Sequence, residues 1–203
     1  MTDVVAYLER KALGALGRPL TASEAGTAYK YLKLLIKWNR SQRLVGSDEP
    51  RWIVDNVIVD SLLFRRALPK GIRTVADVGS GAGVPGVPLA IALPDVSVTL
   101  IEARQKRASF LATVIRELAL RNCALVNERV ENVASHLRER FNAVVMRCAG
   151  SPLSLLPHLR PILSAGGVVV ASGPPSRFEL PVGDWLEVEG PDGSRRFWVY
   201  HVT

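Results

Sequence analysis

The sequence predicts an α/β fold: a mostly parallel sheet that ends in an antiparallel hairpin, preceded by an N-terminal helical extension. Three observations predict it. From about residue 71 onward, short apolar runs alternate with helical patterns, as they do in chains that wind a parallel sheet. The run Val75-Ala76-Asp77-Val78 breaks into a glycine turn, Gly79-Ser80-Gly81-Ala82-Gly83, and a later run, Leu100-Ile101, ends in the acid Glu102. In the tail, Trp185-Leu186-Glu187-Val188-Glu189 and Phe197 through Val202 flank Gly190-Pro191-Asp192-Gly193-Ser194, a hairpin with Pro-Asp-Gly as its turn. The chain therefore divides into a helical extension over 1–70 and an α/β domain over 71–203.

Each element has its own signal. Residues 3–16 and 22–40 read as helices. In the second, Ala28, Tyr31, Leu32, Leu35 and Trp38 recur at helical spacing and form a buried stripe. Lys30, Lys33, Lys37 and Arg40 fall on another face, which serves either phosphate contacts or plain solvation. Residues 41–51 are polar and turn-like, and a third helix covers 52–67. Strands follow at 73–78, 96–101, 123–127, 143–146 and 167–171. Helices cover 87–92, 105–120 and about 152–164, the last interrupted by Pro157 and Pro161.

Composition narrows the function classes. A chain of 203 residues with 48% hydrophobic content makes one large domain, or one domain with an extension. No apolar run approaches the roughly 20 residues of a membrane span. The start, Met1-Thr2-Asp3-Val4, lacks the basic and apolar blocks of a signal peptide, so a cytoplasmic protein is expected. Cys123 and Cys148 lie in apolar runs and read as buried thiols rather than a disulfide. His136, His158 and His201 are scattered without metal-ligand spacing, and no metal is expected. The net charge is +7, and residues 1–70 hold 12 Lys and Arg against 7 Asp and Glu. That surface favours a polyanionic partner over a merely soluble basic protein.

The glycine turn and Glu102 together read as a nucleoside-cofactor site. Glycines let the backbone approach the ligand, and an acid ending the next strand takes the two ribose hydroxyls. A dinucleotide fingerprint spaces its glycines G-x-G-x-x-G, to seat a pyrophosphate on a helix N-terminus. Here the third glycine, Gly83, comes one residue early, and Val84 occupies the dinucleotide position. Asp77 also precedes the first glycine by two residues. S-adenosylmethionine (SAM) lacks a pyrophosphate but carries an amino group and a sulfonium, which a strand-end carboxylate suits. The turn therefore favours SAM over NAD.

Longer motifs then identify a family. Asp77-Val78-Gly79-Ser80-Gly81-Ala82-Gly83-Val84-Pro85-Gly86-Val87-Pro88-Leu89 resembles the "DVGTGxGLPGIPL" signature of the 16S ribosomal RNA guanine-N7 methyltransferases, the glucose-inhibited division protein B family. Lys106-Arg107-Ala108-Ser109-Phe110-Leu111 resembles the family's "KRxxFL", Arg129-Val130-Glu131 its "RVE", and Met146-Arg147-Cys148-Ala149 its "SRA". Gly193-Ser194-Arg195-Arg196 is similar to its late arginine segment. Val59-Asp60-Ser61-Leu62 also fits, so the resemblance covers nearly the whole chain.

The resemblance implies a Rossmann-like methyltransferase fold, SAM as cofactor, and ribosomal RNA or the small ribosomal subunit as partner, with a monomer expected. It implies cofactor contacts at Gly79, Gly81, Gly83, Val84, Glu102, Val130, Glu131 and Arg147. Guanine N7 carries an in-plane lone pair, so it needs placement rather than a general base. Arg147 and Arg195 are the candidates for the acceptor side, because an arginine can hydrogen-bond guanine O6. Three departures stand out. The family's lysine in "LKG" is missing from Ala171-Ser172-Gly173-Pro174. Its "NLTA" reads Arg43-Leu44-Val45-Gly46. Its histidine before "DSL" is Val57. They leave open a methyltransferase with another RNA or a small-molecule substrate, or a non-catalytic paralogue that binds SAM or RNA.

Overall fold

The computed structural model describes residues 2–133, 135–147, 151–172 and 181–202. Seven strands form one sheet in the order β3-β2-β1-β4-β5-β7-β6. They are β1 (Thr74–Val78), β2 (Ser97–Ile101), β3 (Cys123–Val126), β4 (Phe141–Met146), β5 (Leu163–Ser172), β6 (Asp184–Gly190) and β7 (Gly193–His201). The first five run parallel, and β7 and β6 close the sheet antiparallel. The strand order reverses at β1, between β2 and β4. In open α/β sheets, that is where ligands bind beyond the C-terminal strand ends.

Helices cover both faces. α1 (Thr2–Leu16), α2 (Ala22–Gln42) and α3 (residues 50–67) lie with α4 (Gly86–Ala92) and α5 (Gln105–Glu117). On the other face lie α6 (Val130–Val133) and α7 (Pro152–Leu159), the latter ending in a 3-10 turn over Arg160–Ile162. The central strands β1, β4 and β5 are largely buried on both sides and alternate between two apolar clusters. Val75 packs with the N-terminal helices, whereas Ala76 and Val78 pack with α6 and α7. The first cluster is continuous from Leu8 in α1 to Val199 in β7.

Polar ties fasten the N-terminal helices to the sheet. Thr21 and Glu24 form a reciprocal capping box that starts α2. Arg66 gives its guanidinium to the carbonyls of Gly14 and Ala15 at the end of α1 and to Glu189 in β6, all at 2.7–2.8 Å. Of the expected buried stripe on α2, Ala28, Tyr31, Leu32 and Leu35 are buried, and Trp38 is half-buried against Phe110. Lys30, Lys33, Lys37 and Arg40 are exposed.

Several boundaries differ from expectation, for physical reasons. Helix α2 runs two residues past 40, to Gln42, and stops where Arg43 turns left-handed at φ 48°. Segment α3 starts at Pro50, with Glu49 capping the N–H groups of Arg51 and Trp52. It is not one α-helix: Val54–Val59 is π-helical. Strand β5 begins at Leu163, inside the stretch expected to be helical, because Pro161 lies in the turn that ends α7.

Candidate functional site

The turn after β1 needs its glycines. Gly79, Gly81 and Gly83 take φ values of 73°, 57° and 87°, where other residues are strained. The turn is pinned from below. Gly79 N–H donates to the Ile101 carbonyl, and Tyr31 of α2 donates its hydroxyl to the Ala82 carbonyl at 2.6 Å. Complete burial pushes the Tyr31 phenol well above its ordinary range, so it stays a donor.

Two cavities open at this C-terminal edge and share Gly79. The first, of about 230 Å³, is lined by Glu102, Val130 and Glu131, together with Val78, Ile101 and Arg129. Glu102 is 4% exposed. One of its oxygens accepts the Gly81 N–H at 2.8 Å and the other accepts the Arg104 N–H at 2.7 Å. A carboxylate has about four acceptor positions, so each oxygen can take one more hydrogen bond. Asn127 bonds the Glu102 carbonyl at 2.8 Å and steadies the strand end.

The second cavity, of about 240 Å³, is lined by Gly79, Gly81 and Val84 from the turn, and by Arg107 and Arg147. Leu44, Val45, Gly46, Trp52 and Val57 form its opposite wall. Arg147 follows β4 directly. Its Nη2 donates to the Asn56 carbonyl at 2.7 Å, in the π-helical turn. Its Nη1 lies 3.2 Å from Asp60 Oδ2 but makes no hydrogen bond, although it is buried. Asp60 also accepts from Arg195 Nε at 2.8 Å. The two expected acceptor-side arginines thus meet on one carboxylate, to which the sequence alone assigns no role.

Three expectations change here. Arg195 lines neither of the two cavities and borders a small crevice with Asp55, Asp60 and Asp192. Gly83 also lines neither: a Cβ there would sit 2.6 Å from Val87, so its role is close packing under the turn. Asp77 does not reach out toward ligand cations. It is fully buried, and its Oδ2 accepts the Gly86 N–H at 2.9 Å, at the start of α4. A Cβ at Gly86 would sit 2.6 Å from that oxygen, which is why a glycine stands there. Asp77 Oδ1 has no hydrogen-bond partner. Burial pushes the Asp77 carboxyl up to about 7, against the pull of the Gly86 N–H and with a push from the Glu102 charge.

Gly173, where the family lysine is missing, and Cys148 lie outside the described residues. Cys123 is buried, and burial with the nearby Asp77 charge pushes its thiol up to about 12, so it is inert at neutral pH. Among the described residues, no cluster of His, Cys, Asp and Glu could hold a metal, and no helix is long and apolar enough to cross a membrane.

A sheet of this order, closed by an antiparallel hairpin, with a glycine turn after β1 and a buried acid after β2, defines the class: a SAM-dependent methyltransferase. A SAM-dependent methyltransferase from Aquifex aeolicus shares the fold, with a TM-score of 0.54 at 18% identity over 74% of this chain and 92% of that one. The family model described as rRNA small subunit methyltransferase G matches residues 25–175. Two proteins called ribosomal RNA small subunit methyltransferase G agree with it. One, from Sorangium cellulosum, is 36% identical over 92% of this chain and 79% of its own length. The other, from Xanthomonas campestris, is 33% identical over 98% of this chain and 95% of its own. The chain belongs to this family, the glucose-inhibited division protein B family. It is a methyltransferase, and its methyl donor is SAM.

Proposed function

We propose that the protein transfers a methyl group from SAM to N7 of a guanine in 16S ribosomal RNA. The observation that carries the reading is the pair of cavities meeting at Gly79, one holding Glu102 and the other Arg147. The residues present fit SAM. Glu102 retains acceptor capacity for two ribose hydroxyls. Val130 and Glu131 sit beside it, where a base would be gripped by an apolar side chain and backbone groups. Arg147 lines the second cavity beside the turn, with Nη1 3.2 Å from Asp60 Oδ2. When bound, SAM supplies a methyl group on a sulfonium, which an in-plane lone pair can take without first losing a proton.

The chain's own residues then have placement to do. Gly79, Gly81 and Val84 shape the floor on which cofactor and acceptor approach. Arg147, held by Asn56 and Asp60, offers a fixed charge to the methionine carboxylate or to guanine O6. Arg195 holds Asp60 from the other side and so acts on the site through it. No general base is needed, and among the described residues the lining carries no carboxylate and no histidine.

A ribosomal substrate puts the enzyme in the cytoplasm. The basic face of α2 and the rim arginines Arg40 and Arg43 suit an RNA backbone. The deciding experiment offers labelled SAM and small ribosomal subunits to the purified protein, then maps 7-methylguanine by reduction and strand scission. One labelled guanine in 16S RNA is expected. Transfer only to other nucleotides, or none to either subunits or naked 16S RNA, overturns the reading.

A further inference from the structure

The wall of the second cavity that faces the glycine turn is unlike the rest of the site. Leu44, Val45, Gly46, Trp52 and Val57 supply it, and all five come from the N-terminal segment. Two of the three departures from the family motifs, Leu44-Val45-Gly46 and Val57, fall on this one wall. Where the motif has a threonine and a histidine, this chain presents apolar side chains. Trp52 stands among them, half-buried, its inner side packed on the core.

Gly46 explains how the indole fits. A Cβ at position 46 would lie 3.1 Å from one Trp52 ring carbon and 3.3 Å from the next. The glycine thus gives the six-membered ring of the indole its space. The ring is further fixed through its backbone: Trp52 N–H is held by the Glu49 carboxylate, and its carbonyl accepts from Asn56 Nδ2 at 3.0 Å. The result is a pre-placed aromatic surface on the apolar wall of the cavity, across from Gly79, Arg107 and Arg147.

We propose that Trp52 is the stacking platform for the acceptor purine, so that the base lies between the indole and the cofactor. This rests on the reading of the protein as an RNA guanine-N7 methyltransferase. A cavity with one flat aromatic wall facing backbone groups and two arginines suits a flat, extruded base, which can stack on the indole while its polar edge meets Arg107 or Arg147. Exposed Arg40 and Arg43, next in sequence to that wall, suit the flanking phosphates. Stacking also has a chemical consequence here. Methylation at N7 turns a neutral ring into a cation, and a cationic ring is held more strongly on an indole face than a neutral one. Trp52 thus favours the charge as it develops, and the effect falls on turnover as well as on binding.

The test has two independent arms. In the first, guanosine 5′-monophosphate and its 7-methyl form are titrated into the protein saturated with S-adenosylhomocysteine, reading tryptophan fluorescence. Quenching is expected in the parent, with the 7-methyl form binding roughly threefold tighter or better. It is expected to vanish in Trp52→Leu, and calorimetric titration of the same nucleotides, which needs no indole, is expected to show binding lost in Trp52→Leu and largely kept in Trp52→Phe. No quenching in the parent, or equal quenching in Trp52→Leu, overturns the platform. In the second arm, Trp52→Leu should lower kcat/KM for small subunits roughly 10- to 100-fold. Its melting temperature and SAM affinity should stay close to the parent's, and Trp52→Phe should recover most of the loss. Equal turnover by Trp52→Leu and the parent also overturns it. If the parent methylates no RNA at all, the proposed function falls, and the fluorescence arm still decides whether Trp52 stacks a purine.

Discussion

Replacing Glu102 tests the cofactor assignment and the construction of the site at once. Glu102 does two jobs in the structure. Its oxygens hold the N–H groups of Gly81 and Arg104, latching the turn after β1 to the turn after β2, and Glu102 lines the cavity in which we propose the ribose sits. In Glu102→Ala, both N–H groups lose a charged acceptor. Stranding a buried donor costs about 1–3 kcal/mol, and water entering from the adjacent cavity keeps the sum near the low end, about 2 kcal/mol. For a chain of this size that lowers the melting temperature by about 4–8 °C. Two ribose hydrogen bonds to a carboxylate are lost as well, each worth about 1.5–3 kcal/mol before water replaces it. SAM should therefore bind roughly tenfold weaker or worse. Calorimetric titration and thermal unfolding read the two effects separately. A cofactor product lacking the 2′-hydroxyl separates direct contact from a loosened latch: it should bind the parent less tightly than the full product, and Glu102→Ala equally. If Glu102→Ala binds SAM as tightly as the parent, the ribose assignment is wrong. If its melting temperature is unchanged, the latch carries nothing.

Three further changes have definite expected outcomes. The raised Asp77 carboxyl binds a proton in the folded protein that it has already released in the unfolded chain, between about pH 4 and about pH 7. Its contribution to stability is thus full below that window and lost as pH rises through about 7, so the difference in melting temperature between parent and Asp77→Asn should change across it; a constant difference removes the linkage. Arg147→Ala should slow methyl transfer on the order of 10²-fold with the fold intact, and Asp60→Asn should slow it about tenfold by freeing Arg147 and Arg195. Single-turnover rates equal to the parent's in either variant refute that role. Neutralising exposed Lys30, Lys33, Lys37 and Arg40 should flatten the salt dependence of RNA binding by about 0.7 per lost contact on single-stranded RNA, without touching SAM affinity. An unaltered slope makes the stripe a solvated face.

What the sequence reveals of this site depends on how local the cause is. The runs that become β1, β2 and β4 are legible because strands largely buried on both faces are mostly apolar, and the glycine turn is legible because its left-handed residues have few substitutes. Glu102 is found by its place at a strand end. Asp60 escapes such a reading because its partners, Arg147 and Arg195, come from distant strands, the latter 135 residues away. The π-helical turn at Val54–Val59 leaves no mark in the residue pattern either. It is stabilised from outside, where Arg147 takes the Asn56 carbonyl. Asp77 is misread for a related reason. A strand-end acid beside a glycine turn suggests a ligand contact, and only the approach of Gly86 shows that the carboxyl is spent on the start of α4.

The division of labour within the site follows from this construction. The cofactor side is made by the sheet's own turns, where Gly79, Glu102 and Val130 are fixed by strand register and cannot drift singly. What we propose as the acceptor side is made largely by the segment at 44–57, which packs in the same apolar cluster as Ala82 and Val84 of the turn and is tied to the end of β4 where Arg147 donates to the Asn56 carbonyl, while the turn itself is pinned by Tyr31 and Ile101. A wall attached that way can change its side chains while the turn stays as it is. Leu44-Val45-Gly46 and Val57, which depart from the family's pattern, are on that wall, whereas the Gly79–Leu89 signature is retained opposite. On the proposed function, this wall is thus the part of the molecule in which a change of substrate can be written without loss of the methyl donor. The converse substitution probes this directly: Val57→His puts the family's imidazole back beside Trp52, and a rise in turnover on 16S RNA with SAM affinity unchanged is the outcome expected if the wall alone sets acceptor fit. A parallel loss of SAM affinity shows instead that the two sides are one unit.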